Sequence, residues 1–546
     1  MSPSAVPDAA AGVLASRDLA ADPDGPVWTT RLGWWGLIRR RAEATPDRLA
    51  LLDDRGRRLT FAEYRDAAER VAAGFQQRGI RPGDSVAWQL PTTLEAAVTM
   101  AALARLGTRQ APLLPVLRRA EMDVVMGALE PRLLITPRNW AGFDHGALAA
   151  ELGTEYGCDV LTCDLPSDEL ALPIGDVSAL PDIADEPADN RSPAWVFFTS
   201  GTTGRPKGVL HSDASVIAAS NAPILQLKFA PDDLPSIAFP FAHIGGPGLF
   251  GAALRCGCGT MLVERWDPRR TPYDLARAGV TLMGSAVPFF NAYLAAQREH
   301  GSERLFSRLN MLCSGGAPLP AALQETLLRE LGGDGVFNGY GLTECPMIGF
   351  APREKGRTVP AGVAGPPAPG VDLRIVGPDE QEMPPGQEGE VRLRGPQLFA
   401  GYVDDRDNDG ALDAQGFVRT GDLGVLEPDG NLRITGRLKE VIIRNAENIS
   451  AVEVEGVLTE HPSIVEAAAV GVPDERTGER CCAFVVLAPG APALTLAELI
   501  EFFRARDVAK FKIPEQLEIL PALPRNAMGK VLKQQLRKQV EQAATA

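Results

Sequence analysis

The eight cysteines of this chain, at 158, 163, 256, 258, 313, 345, 481 and 482, form no CxxC pair, and none has a histidine partner at zinc-ligand spacing. Cysteine-held metal and dithiol redox chemistry are therefore excluded as readings, and the thiols are expected to be reduced core residues. Cys481 and Cys482 fall inside CCAFVVLAP, where a thiol behaves as a small hydrophobe. Positive charge is also short, with 55 Lys and Arg against 70 Asp and Glu, a net charge of -15. That balance opposes general attraction to nucleic acid or to an anionic membrane, so any polyphosphate must be held locally. No run approaches the roughly 18 uninterrupted apolar residues of a membrane span. The opening MSPSAVPDAAAGVLASRDLAADPDGP has no basic segment leading into an apolar one. The expectation is a cytoplasmic protein with a mobile start over residues 1–30, no integral membrane segment and no nucleic-acid partner. Internal repeats and low-complexity tracts are missing too.

What is present is an ordinary globular composition, 45% hydrophobic and 23% charged, over 546 residues, enough for three or four compact units at about 150 residues each. Thr60 and Glu63 form a capping box ahead of a run with apolar residues at Tyr64, Ala68, Val71, Ala72 and Phe75 that stops at Gly79, which predicts an amphipathic helix. RPGDSVAWQL followed by LEAAVTMAALARLG, then PRLLITP and TLMGSAVPFFNAYLAAQ, continue a strand and helix alternation that predicts α/β layers with parallel strands. After about residue 360 the texture changes to short alternating runs, VDLRIV, EVRLRG and GVLEPDGNLRITG, with Asp429-Gly430 as a hairpin signal. Beyond Arg437 a mixed tail follows: KEVIIRN, AAAVGVP and CCAFVVLA read as strands, VEVEGVLTEHP as a helix, and Thr495 with Glu498 as a second capping box.

The stretch FFTSGTTGRPKGV at 197–209 carries the first sign of chemistry. Glycines 201, 204 and 208 let backbone amides approach an anion; Thr199, Ser200, Thr202 and Thr203 offer hydroxyls; Lys207 offers a mobile positive charge. This suits a triphosphate tail. A flexible Ser/Gly linker is the bland alternative, but linkers seldom follow a buried-strand run such as AWVFF. The loop is not a Walker motif, and Gly529-Lys530 is followed by Val rather than Ser or Thr.

FFTSGTTGRPKGV resembles the signature of the adenylate-forming superfamily of acyl-CoA synthetases, nonribosomal adenylation domains and firefly luciferase. GYGLTE at 339–344, GEVRLRG at 389–395, TGD at 420–422, GRLKEVII at 436–443 and PRNAMGK at 524–530 follow in the family's order. The resemblance covers residues from about 195 to 533. It implies an α/β fold with a large N-terminal domain of layered α/β and β subdomains, spanning 31–438, and a small mobile α+β domain, spanning 439–546. The implied reaction activates a carboxylate with ATP and Mg²⁺. A carboxylate resists nucleophiles because of its charge and its poor leaving group, and conversion to an acyl-AMP removes both obstacles.

The resemblance also implies roles residue by residue. Thr199, Ser200, Gly201, Thr202, Thr203, Gly204 and Lys207 would hold the β- and γ-phosphates. Glu344 would hold Mg²⁺ together with Thr199, and Thr343 would donate to the α-phosphate. Tyr340 would offer its face to adenine, Asn338, Gly339 and Gly341 would line the base pocket, and Gly315, Gly316 and Ala317 would belong to the same nucleotide site. Asp422 would accept from the ribose hydroxyls, and Arg437 would reach ribose or phosphate. Lys530 would stand between substrate carboxylate and α-phosphate, stabilising charge as pyrophosphate leaves. Lys439 would be the hinge about which the small domain turns from an adenylating to a thioester-forming arrangement. His243 would gate or orient the acid.

Two features bear on acceptor and substrate. RNAENI at 444–449 has Asn445 and Ala446 where the family pattern has glycine in the loop lining the pantetheine tunnel; Arg444 reads either as a residue attracting CoA phosphates or as an ordinary exposed arginine. FPFAHIGGPGLFGAAL at 239–254 has no acidic residue to hold a substrate ammonium, which favours a non-amino acid. Its small residues, Gly245, Gly246, Gly248, Gly251 and Ala252, suggest a roomy pocket for a medium-chain or alicyclic acid, an aryl acid being the other reading. No carrier domain follows residue 546, so coenzyme A or a separate carrier protein is the expected acceptor, the alternatives being adenylation with transfer to an amine and a non-catalytic nucleotide or acyl-CoA sensor, against which intact Glu344, Asp422 and Lys530 argue; a homodimer would be common in the family.

Overall fold

The computed structural model describes residues 31–545 apart from 186–188, 201–204, 316–318, 320, 355–358, 361, 445–446, 475–476, 507 and 527–528. The Thr60 capping box forms in both directions, Thr60 Oγ1 accepting from the Glu63 amide at 3.2 Å and the Glu63 carboxylate accepting from the Thr60 amide at 2.8 Å. It opens the helix Phe61–Gln77, whose apolar stripe buries Tyr64, Ala68, Val71, Ala72 and Phe75.

Strand and helix alternation builds a seven-stranded sheet in the order 401–402, 206–212, 193–200, 109–112, 85–88, 133–137, 159–163. The five strands from 193–200 onward run parallel. At the other edge the chain departs from the expected α/β pattern: 193–200 and 206–212 form an antiparallel hairpin, with Thr199 opposite Lys207. The glycine-rich segment thus connects two strands of a hairpin, whereas a Walker loop leads from strand to helix. A four-stranded sheet (236–237, 260–262, 49–53, 58–60) and another (282–285, 311–315, 336–342, 345–350) complete the layered part.

The five runs after residue 360 form an antiparallel sheet in the order 363–365, 432–437, 418–426, 388–394, 372–376. Its 418–426/432–437 hairpin turns at Asp429-Gly430, where Gly430 has φ 85°, the left-handed region that favours glycine. That sheet ends at Arg437 and the next begins at Val441, joined by a 3₁₀ turn, Leu438–Glu440.

The last sheet pairs 447–450, 441–444, 478–487 and 464–474, with 516–519 added parallel to 478–487. One of its cores takes in the helices Ala451–Thr459 and Leu496–Arg504; the other takes in the terminal helix Lys533–Thr545. The second capping box, Thr495 with Glu498, forms as read. All eight cysteines are free and six are buried, with Cys158 and Cys313 half-buried. Among the described residues no helix is long and apolar enough to cross a membrane.

Candidate active site

The hairpin 193–200/206–212 presents Thr199 and Lys207 side by side at its end. Lys207 is not the mobile charge read from sequence: its ammonium lies 3.1 Å from Asp407 Oδ1 and 5.1 Å from the Tyr402 ring centre. Arg205 is held in the same way, by Asp404 at 3.0 Å and Asp407 at 2.9 Å. Gly201, Thr202, Thr203 and Gly204, and the side chain of Ser200, lie outside the described residues.

Across from the hairpin, Glu344 accepts a 2.6 Å hydrogen bond from the Tyr402 hydroxyl. Burial, then the neighbouring carboxylate, raises the Tyr402 pKa, so the phenol stays a donor. His211, on the second hairpin strand, ties the two motifs together. Its Nε2–H donates to the Thr343 carbonyl at 2.8 Å, which leaves Nδ1 to accept from the Ser215 hydroxyl at 2.9 Å. Burial pushes its pKa down to about 4, so this tautomer is held at neutral pH.

The strand Val336–Leu342 supplies the next wall. Gly315 lies opposite Gly339 in register, and Asn338 opposite Ser314. Neither Gly339 nor Gly341 tolerates a side chain: a Cβ would stand 2.2 Å from the Phe350 ring and 2.5 Å from the Met347 amide, respectively. Asn338 is 6% exposed, and its side-chain oxygen and nitrogen both lack a hydrogen-bond partner. Such a group is costly to leave unpaired, and it matches the donor and acceptor edge of a nucleobase. Gly316 and Ala317 fall outside the described residues.

Tyr340, Asp422 and Arg437 converge from three strands. The Tyr340 hydroxyl donates to Asp422 Oδ2 at 2.6 Å, and Arg437 Nε lies 2.7 Å from Asp422 Oδ1. Each carboxylate oxygen retains a lone pair after these bonds, so Asp422 can still accept a ribose hydroxyl. Lys530 joins this group from the far end of the chain. The charges acting on it are Arg437, Glu440, Asp422 and Lys533, and burial, followed by Arg437, lowers its pKa. Its loop is braced internally, the Lys530 and Gly529 amides both donating to Asn526 at 2.9 Å. Gly529, at φ 78°, brings the loop against Ala286 of the layered part, with a Cβ there 3.7 Å from that of Ala286. Lys439 stands exposed in the 438–440 turn between the two β-rich sheets.

His243 is placed at the entry to the helix Gly245–Cys256. Its Nδ1 accepts from the Gly245 amide at 3.1 Å, its ring meets Phe239 edge-on, and burial takes its pKa down to about 4. Several of the small residues after it have close neighbours. A Cβ on Gly246 would stand 2.2 Å from the Phe241 carbonyl, one on Gly251 3.2 Å from the Trp34 ring, and one on Gly248 2.9 Å from the Met347 methyl; Ala252 is fully buried. Gly246 is held small by backbone, whereas Gly248 and Gly251 face side chains.

Arg444 fits neither sequence reading. It is half-buried, bonded to Glu515 at 2.6 Å and to the Phe511 carbonyl, and so braces the small sheet internally. Asn445 and Ala446 lie outside the described residues. Sequence reasoning missed Tyr402, Asp404, Asp407 and His211. DDRDND at 404–409 has the look of a solvated acidic turn, and nothing in the run PKGVLHS marks His211.

A glycine-rich hairpin, an unsatisfied buried amide and an acid–arginine pair, with a lysine supplied by the loop ahead of the terminal helix, define an adenylate-forming ligase. The chain belongs to the AMP-binding enzyme family: the family's model matches residues 38–403, and the model of the AMP-binding enzyme C-terminal domain matches 453–530. The chain is 32% identical to the medium-chain fatty-acid–CoA ligase of Escherichia coli K12, over 94% of this chain and 92% of that one. It is 35% identical to the salicyl-AMP ligase / salicyl-S-ArCP synthetase of Mycobacterium tuberculosis H37Rv, over 93% and 92%. Among solved structures it resembles ATP-bound MatB from Rhodopseudomonas palustris, with a TM-score of 0.83 and 28% identity over 93% of this chain and 99% of that one.

Proposed function

We propose that the chain is an acid–thiol ligase that adenylates a non-amino carboxylic acid of medium-chain or alicyclic type and passes the acyl group to coenzyme A. The observation that carries the reading is the delivery of Lys530 to the Asp422–Arg437 pair. That placement sets a cation from the loop ahead of the terminal helix within electrostatic reach of groups suited to ribose and phosphate. In the first half-reaction a carboxylate oxygen bonds to the α-phosphorus, the bond to the β-phosphate oxygen breaks, and pyrophosphate leaves. Lys530 stabilises the charge that gathers on the α-phosphoryl oxygens. Asn338 pairs with the base, Tyr340 flanks it, and Arg205 and Lys207 exchange their aspartates for the departing phosphates.

Among the described residues no group of three or more His, Cys, Asp or Glu could hold a metal. Glu344 offers one hard oxygen and Thr199 another, which fits Mg²⁺, an ion that keeps waters and takes much of its shell from substrate phosphates. When bound, Mg²⁺ would neutralise the leaving pyrophosphate. In the second half-reaction the thiol sulfur bonds to the acyl carbon and AMP leaves. Residues 31–438 act as the adenylating part, and residues 439–546 turn about Lys439 to withdraw Lys530 and admit the thiol.

The absence of a carboxylate in 239–254 supports a substrate without an ammonium group, and similarity to a medium-chain fatty-acid–CoA ligase supports the acid class and the acceptor. The test is pyrophosphate release across acids graded in chain length and ring content, with the nucleotide and acyl products identified by mass spectrometry. Expected are AMP, pyrophosphate and an acyl-CoA; ADP would overturn the reading. An acyl-AMP that accumulates in the presence of CoA would instead favour the carrier-protein acceptor, in line with the salicyl-AMP relative.

A further inference from the structure

Three residues beyond Lys530, on the first turn of the terminal helix, Lys533 is largely buried between two carboxylates, Glu455 Oε1 at 2.8 Å and Glu440 Oε2 at 2.9 Å. The three come from separate elements: the terminal helix, the helix Ala451–Thr459 and the 3₁₀ turn Leu438–Glu440. Glu455 is itself fixed, its Oε1 accepting from the Ala469 amide at 2.8 Å. Glu440 follows Lys439 directly. An ammonium has three donors and suits two carboxylates at once, while burying such a group is favourable only when it is closely paired.

We propose that Lys533 and Glu440 are positioning residues for Lys530: their ion pair, anchored on Glu455, is a strut that joins the Lys530 loop to the residue beside the hinge. This rests on the adenylation reading of the site. The loop is already stiffened from within, Arg525 bonding the Gly529 carbonyl and pairing with Glu466 at 3.0 Å. A stiff loop attached only through the chain would trail the turn at 438–440. With the strut, the turn, the helix 451–459 and the loop move as one arm, so the angle adopted at the hinge sets where the Lys530 ammonium stands.

The strut also shapes the charge around that ammonium. Arg437 on the strand 432–437 and Lys533 on the terminal helix disfavour its protonated form; Asp422 on the strand 418–426 and Glu440 favour it. Glu440 is thus both a mechanical and an electrostatic partner.

Glu440→Gln separates this from a merely structural ion pair, because it leaves Lys533 and Glu455 paired one to one. The measurements are ATP–pyrophosphate exchange with octanoate, cyclohexanecarboxylate and benzoate, thioester formation from supplied octanoyl-AMP and CoA, and the melting temperature. Expected for Glu440→Gln is exchange kcat reduced about tenfold or more with the KM for ATP little changed. The alkaline limb of the exchange profile moves to lower pH, because one of the two negative charges supporting the Lys530 ammonium is gone, and the thioester step is retained. Lys533→Arg keeps the pairing and retains most of the exchange. If wild-type protein exchanges and Glu440→Gln exchanges as fast, the strut is wrong and the adenylation reading stands. Equal losses in both half-reactions with a lowered melting temperature also overturn it, as a structural role alone would give that result. No acid-dependent exchange by the wild type overturns both.

Discussion

Asn338 and Lys530 are both held in surroundings that disfavour them without a ligand. The Asn338 amide has no partner, and the Lys530 ammonium is desolvated beside Arg437. Groups strained in this way are concentrated where ligands bind, since the ligand supplies what the protein omits. Lys530→Ala is expected to lower adenylation at least about 100-fold, the scale of removing an aimed charge-stabilising donor. Thioester formation from supplied acyl-AMP should change little, and comparing the two half-reactions directly checks this. At this scale motif residues were legible because Tyr340, Glu344, Asp422 and Lys530 sit in quoted motifs. Their partners were not. Tyr402 reaches Glu344 across 58 positions and Arg205 reaches Asp407 across 202, and nothing in the local sequence encodes either separation.

Elements were read well where their signals are local. Capping boxes at Thr60 and Thr495 start helices because a side chain and an amide three residues apart satisfy each other, whatever the rest of the fold does. The Asp429-Gly430 hairpin likewise depends only on its own backbone. The helix Gly245–Cys256 shows where local reading stops. Its glycines read as free volume, but Gly251 and Gly248 face Trp34 and Met347, which lie on other elements, and Gly246 faces the Phe241 carbonyl in the turn leading into the helix. Gly246→Ala should therefore destabilise by about 1–3 kcal/mol, the range for an overpacked methyl. Chemical denaturation at unchanged m-value is the measurement; a neutral result would return that glycine to the list of pocket-forming residues.

Across the whole molecule, three histidines, 145, 211 and 243, are pushed down to about 4 by burial. An unfolded histidine titrates near 6.5. Between those values the unfolded chain takes up protons that the folded chain refuses, so the stability these residues contribute is complete above about pH 6.5 and is lost as pH falls towards 4. Melting temperatures should be level above about pH 7 and fall progressively below pH 6.5. The subdivision of the chain into layered sheets, an antiparallel sheet and a terminal mixed sheet was legible from changes in strand texture. Their contact through Gly529 and Ala286 was not, because docking depends on shape. The aspartates at 404 and 407 have one further consequence for the molecule in solution. With Arg205 and Lys207 already paired, taking up a polyphosphate at this hairpin resembles ion exchange: when the two cations turn to the ligand, the Asp407 they share is handed back to water, while Asp404 keeps Arg406. The net change in exposed charge is therefore small. Raising ionic strength should increase the KM for ATP less than two unpaired cations would predict, and Asp407→Asn should make the salt dependence steeper.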